Sequence, residues 1–355
     1  MEGNLKMKKI LTTLCAVAML AGCTAGGSKK SSTNTTSTKE ETAATVMVGT
    51  GSVTNVANKV KEGADTTAQF DTTFASVVLE GNVIKYVYFD VAQDKVTYDA
   101  TGHVTSDNTT STSKKALGDK YGMKDKSSIK KEWYEQVEAL EKWAVGKTVE
   151  EVLTMPTTQK DEKHTVPADK DLMTGCTIGV TGFQQALDKA VKNAVEVKDV
   201  ASVGSAILTE VSGKDASAEK SGEAKASSTY GVVALDKDGK VVFTQTDVAQ
   251  NAVKFTTAGA LDGEAMAVPT KGEKKDEYGM KKASAIGKEW FEQNQAYDEW
   301  TVGKTAKEIA DMKVTTNEGG KTVTADKDLM TGCTMGVDSL QKVTVTAIAA
   351  ASKLN

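Results

Sequence analysis

The chain contains no arginine, three prolines and two histidines, and few of its residues are aromatic. With lysine as its only strong cation and a formal net charge of −4, it lacks the basic surface that nucleic acid requires. Removing residues 1–22, which hold three Lys and one Glu, takes the charge to −6. Long apolar runs are also missing. The longest, Ile10 to Leu20, is too short to span a bilayer comfortably as a permanent helix. Four cysteines occur, Cys15, Cys23, Cys176 and Cys333; beyond the first 25 residues only two remain, 157 apart, too few for a disulfide framework.

What the chain has is a repeat. The decapeptide Ala-Asp-Lys-Asp-Leu-Met-Thr-Gly-Cys-Thr stands at 168–177 and again at 325–334. Trp143 and Trp300, Tyr121 and Tyr278, and Asp90 and Asp247 are separated by the same 157 residues. A period this long is a whole domain rather than a solenoid unit. Lys131-Glu132-Trp133 matches Lys288-Glu289-Trp290, and Tyr121-Gly122-Met123-Lys124 matches Tyr278-Gly279-Met280-Lys281. The offset slips to 156 before the turn at Glu80-Gly81-Asn82, a length change placed at a hairpin tip, where it costs little. The expected organisation is a signal peptide at 1–22, a tether at 23–44, and domains at 45–196 and 204–355.

Lys8 and Lys9, the apolar stretch and the closing Leu20-Ala21-Gly22-Cys23 read as an export signal. Its end resembles the bacterial lipobox, which implies cleavage before Cys23 and acylation of that residue. The Ser/Thr/Lys-rich segment from Gly26 to about Ala44 reads as a solvated tether.

Within each copy, Phe74–Leu79 and Val83–Asp90 form an expected hairpin, repeated as Tyr230–Leu235 and Lys240–Asp247. Ile129, Trp133, Val137 and Leu140 predict an amphipathic helix. Thr148 with Glu151, and Thr305 with Glu308, are spaced as capping boxes. Thr181 and Asp338 are candidate N-caps of a further helix with Phe183, Leu187, Ala190, Val191 and Ala194 on its apolar face. The fold class is α+β, each copy an antiparallel sheet with packed helices. The Thr-Gly-Cys-Thr loop falls just before a helix N-terminus, where free N–H groups suit a phosphate. Gly175 and Gly332 permit close backbone approach or a positive φ.

Several other chemistries fail on residues. Gly146-Lys147-Thr148 looks like the end of a phosphate loop, but position 141 is Glu and position 298 is Asp where glycine is required. Gly49-Thr50-Gly51 lacks the third glycine of a dinucleotide fingerprint. His103 and His164 have no counterparts 157 residues on, so a histidine triad or metal site shared by both copies is excluded. Asp169 and Asp171, with Asp326 and Asp328, are paired acids near the loop that could position a divalent cation transiently; they read as solvated loop carboxylates, and no metal site is expected.

At the repeated loop the chain resembles the FMN-binding domains that carry covalent flavin, with a motif of roughly Asp-x-x-Ser/Thr-Gly-Ala-Thr. Asp171, Thr174, Gly175 and Thr177 match it, as do Asp328, Thr331, Gly332 and Thr334. Cys176 and Cys333 stand where alanine is usual, small enough to substitute. With its lipobox and tether, the chain looks like the flavinylated lipoproteins of Gram-positive extracellular electron transfer, the Listeria-type, peptide-pheromone-encoding lipoproteins among them. The resemblance implies two tandem homologous domains, each with one FMN esterified to Thr177 or Thr334 by an FAD-using flavin transferase. It implies a lipid anchor on the outer face of the cell membrane. A quinone-linked membrane flavoprotein would be the electron donor and an external oxidant such as ferric iron the acceptor. The thiols of Cys176 and Cys333 would lie beside the phosphate. No catalytic residue is expected, because the cofactor carries the redox chemistry. The rival expectation is a solute-binding lipoprotein without covalent cofactor, built around one cleft between two lobes.

Overall fold

The structure is a computed structural model that describes residues 45–107, 110–162 and 164–354. The signal segment, the tether and Cys23 lie outside the described residues. The described residues form one compact unit, of mixed α+β character with antiparallel sheets.

One order of elements runs twice. The first half opens with β1 (Val46–Lys59), β2 (Thr66–Glu80) and β3 (Val83–Tyr98). After β4 (Thr110–Ser111) and α1 (Lys114–Leu117) come α2 (Trp133–Ala144) and α3 (Val149–Leu153). A small hairpin, β5 (Thr157–Gln159) and β6 (Thr165–Pro167), leads to α4 (Lys170–Met173), α5 (Thr181–Lys192) and β7 (Val195–Val197). Apart from β4, the second half repeats this as β8 (Ser202–Lys214), β9 (Gly222–Leu235), β10 (Val241–Phe255), α6 (Lys271–Lys274), α7 (Trp290–Thr301) and α8 (Ala306–Ala310). It ends with β11 (Val314–Thr316), β12 (Thr322–Thr324), α9 (Lys327–Met330), α10 (Asp338–Ala349) and β13 (Ser352–Lys353).

The main sheets have matching orders, β3-β2-β1-β7 and β10-β9-β8-β13. They pack face to face. Strand side chains alternate between faces, and one set from each sheet meets the other sheet in shared clusters. Phe70, Val96 and Tyr98 lie with Val253 and Phe255. Val48 and Val78 lie with Val203 and Val232, and Phe74 lies with Ile207 and Tyr230. The Tyr98 and Phe255 rings stack 3.8 Å apart across this interface. β4 also crosses over, pairing antiparallel with β8 of the second half.

The opposite, outer faces carry the helices. α5 crosses β1 where a Cβ on Gly49 would lie 2.3 Å from the Ala190 carbonyl oxygen and one on Gly51 2.6 Å from the Ala190 nitrogen. α10 crosses β8 at Gly204, where a Cβ would lie 1.9 Å from the Ala347 carbonyl oxygen. These glycines exist for helix–strand contact rather than phosphate binding.

The expected hairpins are present but longer, and β1 and β8 join them as a third strand that sequence periodicity does not reveal. The inner face of β1 holds buried Thr50 and Ser52 beside Val46 and Val48, and its outer face holds glycines, so neither reads as an apolar row. Both expected capping boxes form, at Thr148–Glu151 and Thr305–Glu308. The amphipathic helix begins at Trp133 rather than Ile129, because Lys130 has a φ of 53° and Glu132 caps the helix.

Gly204→Ala should destabilise the protein by about 3 kcal/mol through overpacking against backbone. Gly81→Ala, at a φ of 62° with open space around it, should cost only about 1 kcal/mol. Urea unfolding midpoints test this; equal losses would refute the close helix–strand contact.

Candidate functional site

The repeated decapeptide folds identically in both halves. Asp169 caps α4 by accepting from the Asp171 and Leu172 N–H groups at 3.1 and 2.9 Å, and Asp326 caps α9 through Asp328 and Leu329, both at 3.1 Å. The hydroxyls of Thr174 and Thr331 donate back to the carbonyls of Asp171 and Asp328, each at 2.8 Å. Asp171 and Asp328 are exposed, in the first turns of α4 and α9. Gly175 and Gly332 have ordinary φ values. A Cβ on either would lie 2.7 Å from the Cβ of Ala139 or Ala296, so close approach to α2 and α7 is what demands glycine.

Cys176 and Cys333 are fully buried in the hydrophobic cores of their halves. Burial pushes both thiols up to about 11, so they are protonated and unreactive near neutral pH. They pack the loop onto the core. Thr181 and Asp338 are the first residues of α5 and α10, and the caps before them, Val180 and Val337, make no side-chain cap.

Thr177 and Thr334, half-buried, are each held by a buried glutamine that sequence reasoning missed. The Gln136 Oε1 accepts from the Thr177 N–H at 2.9 Å and from its hydroxyl at 3.1 Å. Gln293 does the same for Thr334, at 2.9 and 3.4 Å, and also accepts from the Met335 N–H at 3.1 Å. The Gln136 Nε2 donates to the Ser127 hydroxyl and the Lys131 carbonyl, both at 3.1 Å, and Gln293 repeats this with Ser284 and Lys288. A signal for this pair was present: Gln136 and Gln293 are 157 apart, although their neighbours Val137 and Asn294 differ.

The Tyr-Gly-Met-Lys turns are pinned nearby. Glu132 accepts from the Met123 and Lys124 N–H groups at 2.8 and 3.1 Å, and Glu289 from Met280 and Lys281 at 2.8 and 3.0 Å. Gly122 and Gly279 turn the chain with φ of 72° and 76°.

These parts border twin cavities of about 1010 and 830 Å³. Val53, Asp71 and Val91 on the outer face of the first sheet line one, with Lys114, Tyr121, Met123 and Trp133. Thr229, Val248, Lys271, Tyr278, Met280 and Trp290 line the other. Thr334 lines the second cavity directly. Thr177 does not line the first, although Ile178 and Gly179 just after it do. Lys160, which lines the first cavity, donates to the Thr177 carbonyl at 3.2 Å. His164 pairs with Asp161 at 2.7 Å at the first cavity, where the second has Lys321 and Glu318 at the equivalent positions. Trp143 and Trp300 are half-buried and line neither cavity. Because each cavity is floored by an outer sheet face, the two sit back to back with both sheets between them. Among the described residues no cluster of His, Cys, Asp and Glu could hold a metal ion, and no helix is long and apolar enough to cross a membrane.

The halves differ at one half-buried ion pair. The Lys115 ammonium lies 2.6 Å from the Glu141 carboxylate and 3.8 Å above the Tyr88 ring. Their counterparts are Gly272, Asp298 and Gln245, which line a third cavity of about 650 Å³. Burial drives the Asp298 carboxyl well above its ordinary value. No family model, curated protein or solved structure matches the chain.

Gln136→Leu strands the Thr177 N–H and should destabilise the protein by about 2 kcal/mol. A melting temperature equal to wild type would refute the anchoring role. A second test concerns Glu141, whose carboxyl burial pushes up to about 7 against the pull of Lys115. With the folded value above the unfolded one, its stabilising effect is complete below about pH 4.5 and is lost as pH rises through 7. Glu141→Gln should flatten stability across that window in urea titrations; an unchanged slope would contradict the assignment.

Proposed function

We propose that the chain is a lipid-anchored electron carrier with two homologous FMN-binding domains, one in each half, bearing FMN on Thr177 and Thr334. The observation that carries this reading is the paired loop. Ten identical residues adopt one conformation twice, each ending in a threonine whose hydroxyl a buried glutamine holds, close to or in the wall of a large cavity.

The residues suit such a group. The cavities fall near the upper end of the range for small-molecule sites. Tyr121 with Trp133, and Tyr278 with Trp290, supply aromatic surface for a planar ring system. Each threonine precedes a twelve-residue helix by a few residues, on the side where N–H groups favour a phosphate. Bound FMN would supply reversible uptake and release of electrons. The protein would hold the group, shield one face and leave the threonine hydroxyl oriented for a flavin transferase. No base adjoins that hydroxyl, since the glutamine amide only accepts its proton in a hydrogen bond, so activation would fall to the transferase. Cys23 would carry the lipid, placing the carrier between a quinone-linked membrane flavoprotein and an external acceptor such as ferric iron.

Two separate cavities on opposite sheet faces do not favour a solute-binding lipoprotein, which would close one cleft between lobes. The intact mass of the mature protein, exported together with a flavin transferase, tests the proposal. Wild type should carry two added FMN masses, Thr177→Ala and Thr334→Ala one each, and the double variant none. Absence of added mass and of flavin fluorescence in wild type would reject it.

A further inference from the structure

Lys114 and Lys271 open the short helices α1 and α6, and they are the one residue those helices share: Lys-Lys-Ala-Leu in the first half, Lys-Gly-Glu-Lys in the second. Their placement is tightly determined. Ser113 and Thr270 cap the two helices. Asp90 accepts from the Ser113 hydroxyl at 2.7 Å and the Lys115 N–H at 3.0 Å, and Asp247 accepts from the Thr270 hydroxyl and the Gly272 N–H. A carboxylate on the third strand of each sheet, buried at Asp90 and half-buried at Asp247, thus holds the residue on either side of the lysine.

The side chains end in matching places. The Lys114 ammonium lies 5.2 Å from the Tyr121 ring centre and 5.4 Å from that of Trp133. Lys271 lies 5.5 and 5.6 Å from Tyr278 and Trp290. Both lysines line their cavities, and neither forms an ion pair among the described residues. Two aromatic faces stabilise a cation but do not neutralise it. Burial lowers the Lys271 ammonium to about 8; the charges of Lys321, Lys225 and Lys274 add to this, and that of Asp247 opposes it. A cation kept half-buried at a cavity wall with no carboxylate in direct contact is placed to meet negative charge arriving with a ligand.

We propose that Lys114 and Lys271 contact the isoalloxazine ring in each cavity and hold the negative charge it gains on reduction. This rests on the flavin reading above. Two electrons and one proton convert the neutral oxidised ring to a reduced ring with one negative charge. The electrons come from the reduced donor flavoprotein, and the proton comes from solvent. The ammonium keeps its own proton and contributes charge only. The reduced form is thereby favoured over the oxidised form, which raises the potential.

The test uses the full flavin-loaded chain with one site removed, Thr334→Ala retaining the first cavity and Thr177→Ala the second. Each is titrated with dithionite against reference dyes, with flavin occupancy measured by mass. Lys114→Met in the first form and Lys271→Met in the second should weaken the preference for the reduced ring at least tenfold, a fall of about 30 mV for a two-electron couple. Lys114→Arg and Lys271→Arg, which keep the charge, should restore it. An unchanged potential at full occupancy overturns the proposal, and so does lowered occupancy with the parent potential, which would place the lysine on the phosphate. If a methionine variant does not load, the arginine variant must load and keep the parent potential, or the proposal fails. Absence of flavin in the single-site parents themselves rejects the flavin reading instead, and this inference with it.

Discussion

Everything in this protein is arranged around the burial of two sheets against each other. Each half has a core of its own under its helices, and further core clusters form only where the two sheets meet. The inner faces of β1–β3 and β8–β10 meet through aromatic and aliphatic side chains, with Phe70, Phe74, Tyr98, Tyr230 and Phe255 fully or almost fully removed from solvent, and through buried polar pairs such as Ser76 with Ser205 and Asp94 with Thr209. Side chains on a strand alternate, so committing one row inward commits the other outward. Helices, loops and cavities must therefore occupy the two outer faces. β4 adds a covalently linked exchange, a strand of the first half completing the sheet of the second.

The candidate sites inherit that constraint. Each is a loop placed between an outer sheet face and the helices packed on it. Gly49 and Gly204 let α5 and α10 lie close to the central strands. Gly175 and Gly332 bring the threonine loops against α2 and α7, within reach of Gln136 and Gln293. Buried Cys176 and Cys333 complete the seal below. The two sites consequently face away from each other. Any exchange between groups bound there would cross both sheets, whereas each site is open to solvent on its own side. Lys115–Glu141 against Gly272 and Asp298 shows that the halves differ in the charges they enclose.

Some of this was legible in the residues. The alternation of Val83 to Asp90, the helix phase of Trp133, Val137 and Leu140, and the Thr–Glu capping boxes are local patterns governed by local geometry, and they hold. The threonine loop stood out because identity at ten positions is visible without any structure. β1 was not legible, since Thr50 and Ser52 are buried by the partner sheet rather than by their own hydrophobicity. Gln136 reads as one more polar helix residue; its role arises from a contact 41 positions away. Lys114 likewise looks like a solvated lysine until Tyr121 and Trp133 are folded onto it.

The sequence by itself determined the 157-residue repeat, the α+β class, the periods of the main strands and helices, and the loop that both halves share. These depend on propensity, spacing and capping, which act over a few residues. Tertiary structure alone decided which strand faces turn inward, that the halves merge into one sandwich, that two cavities open on opposite sides, and which polar groups guard the threonines. Those outcomes depend on burial and hydrogen bonding between segments distant in the chain. A buried polar side chain takes its meaning from the group it meets, and that meeting exists only after folding.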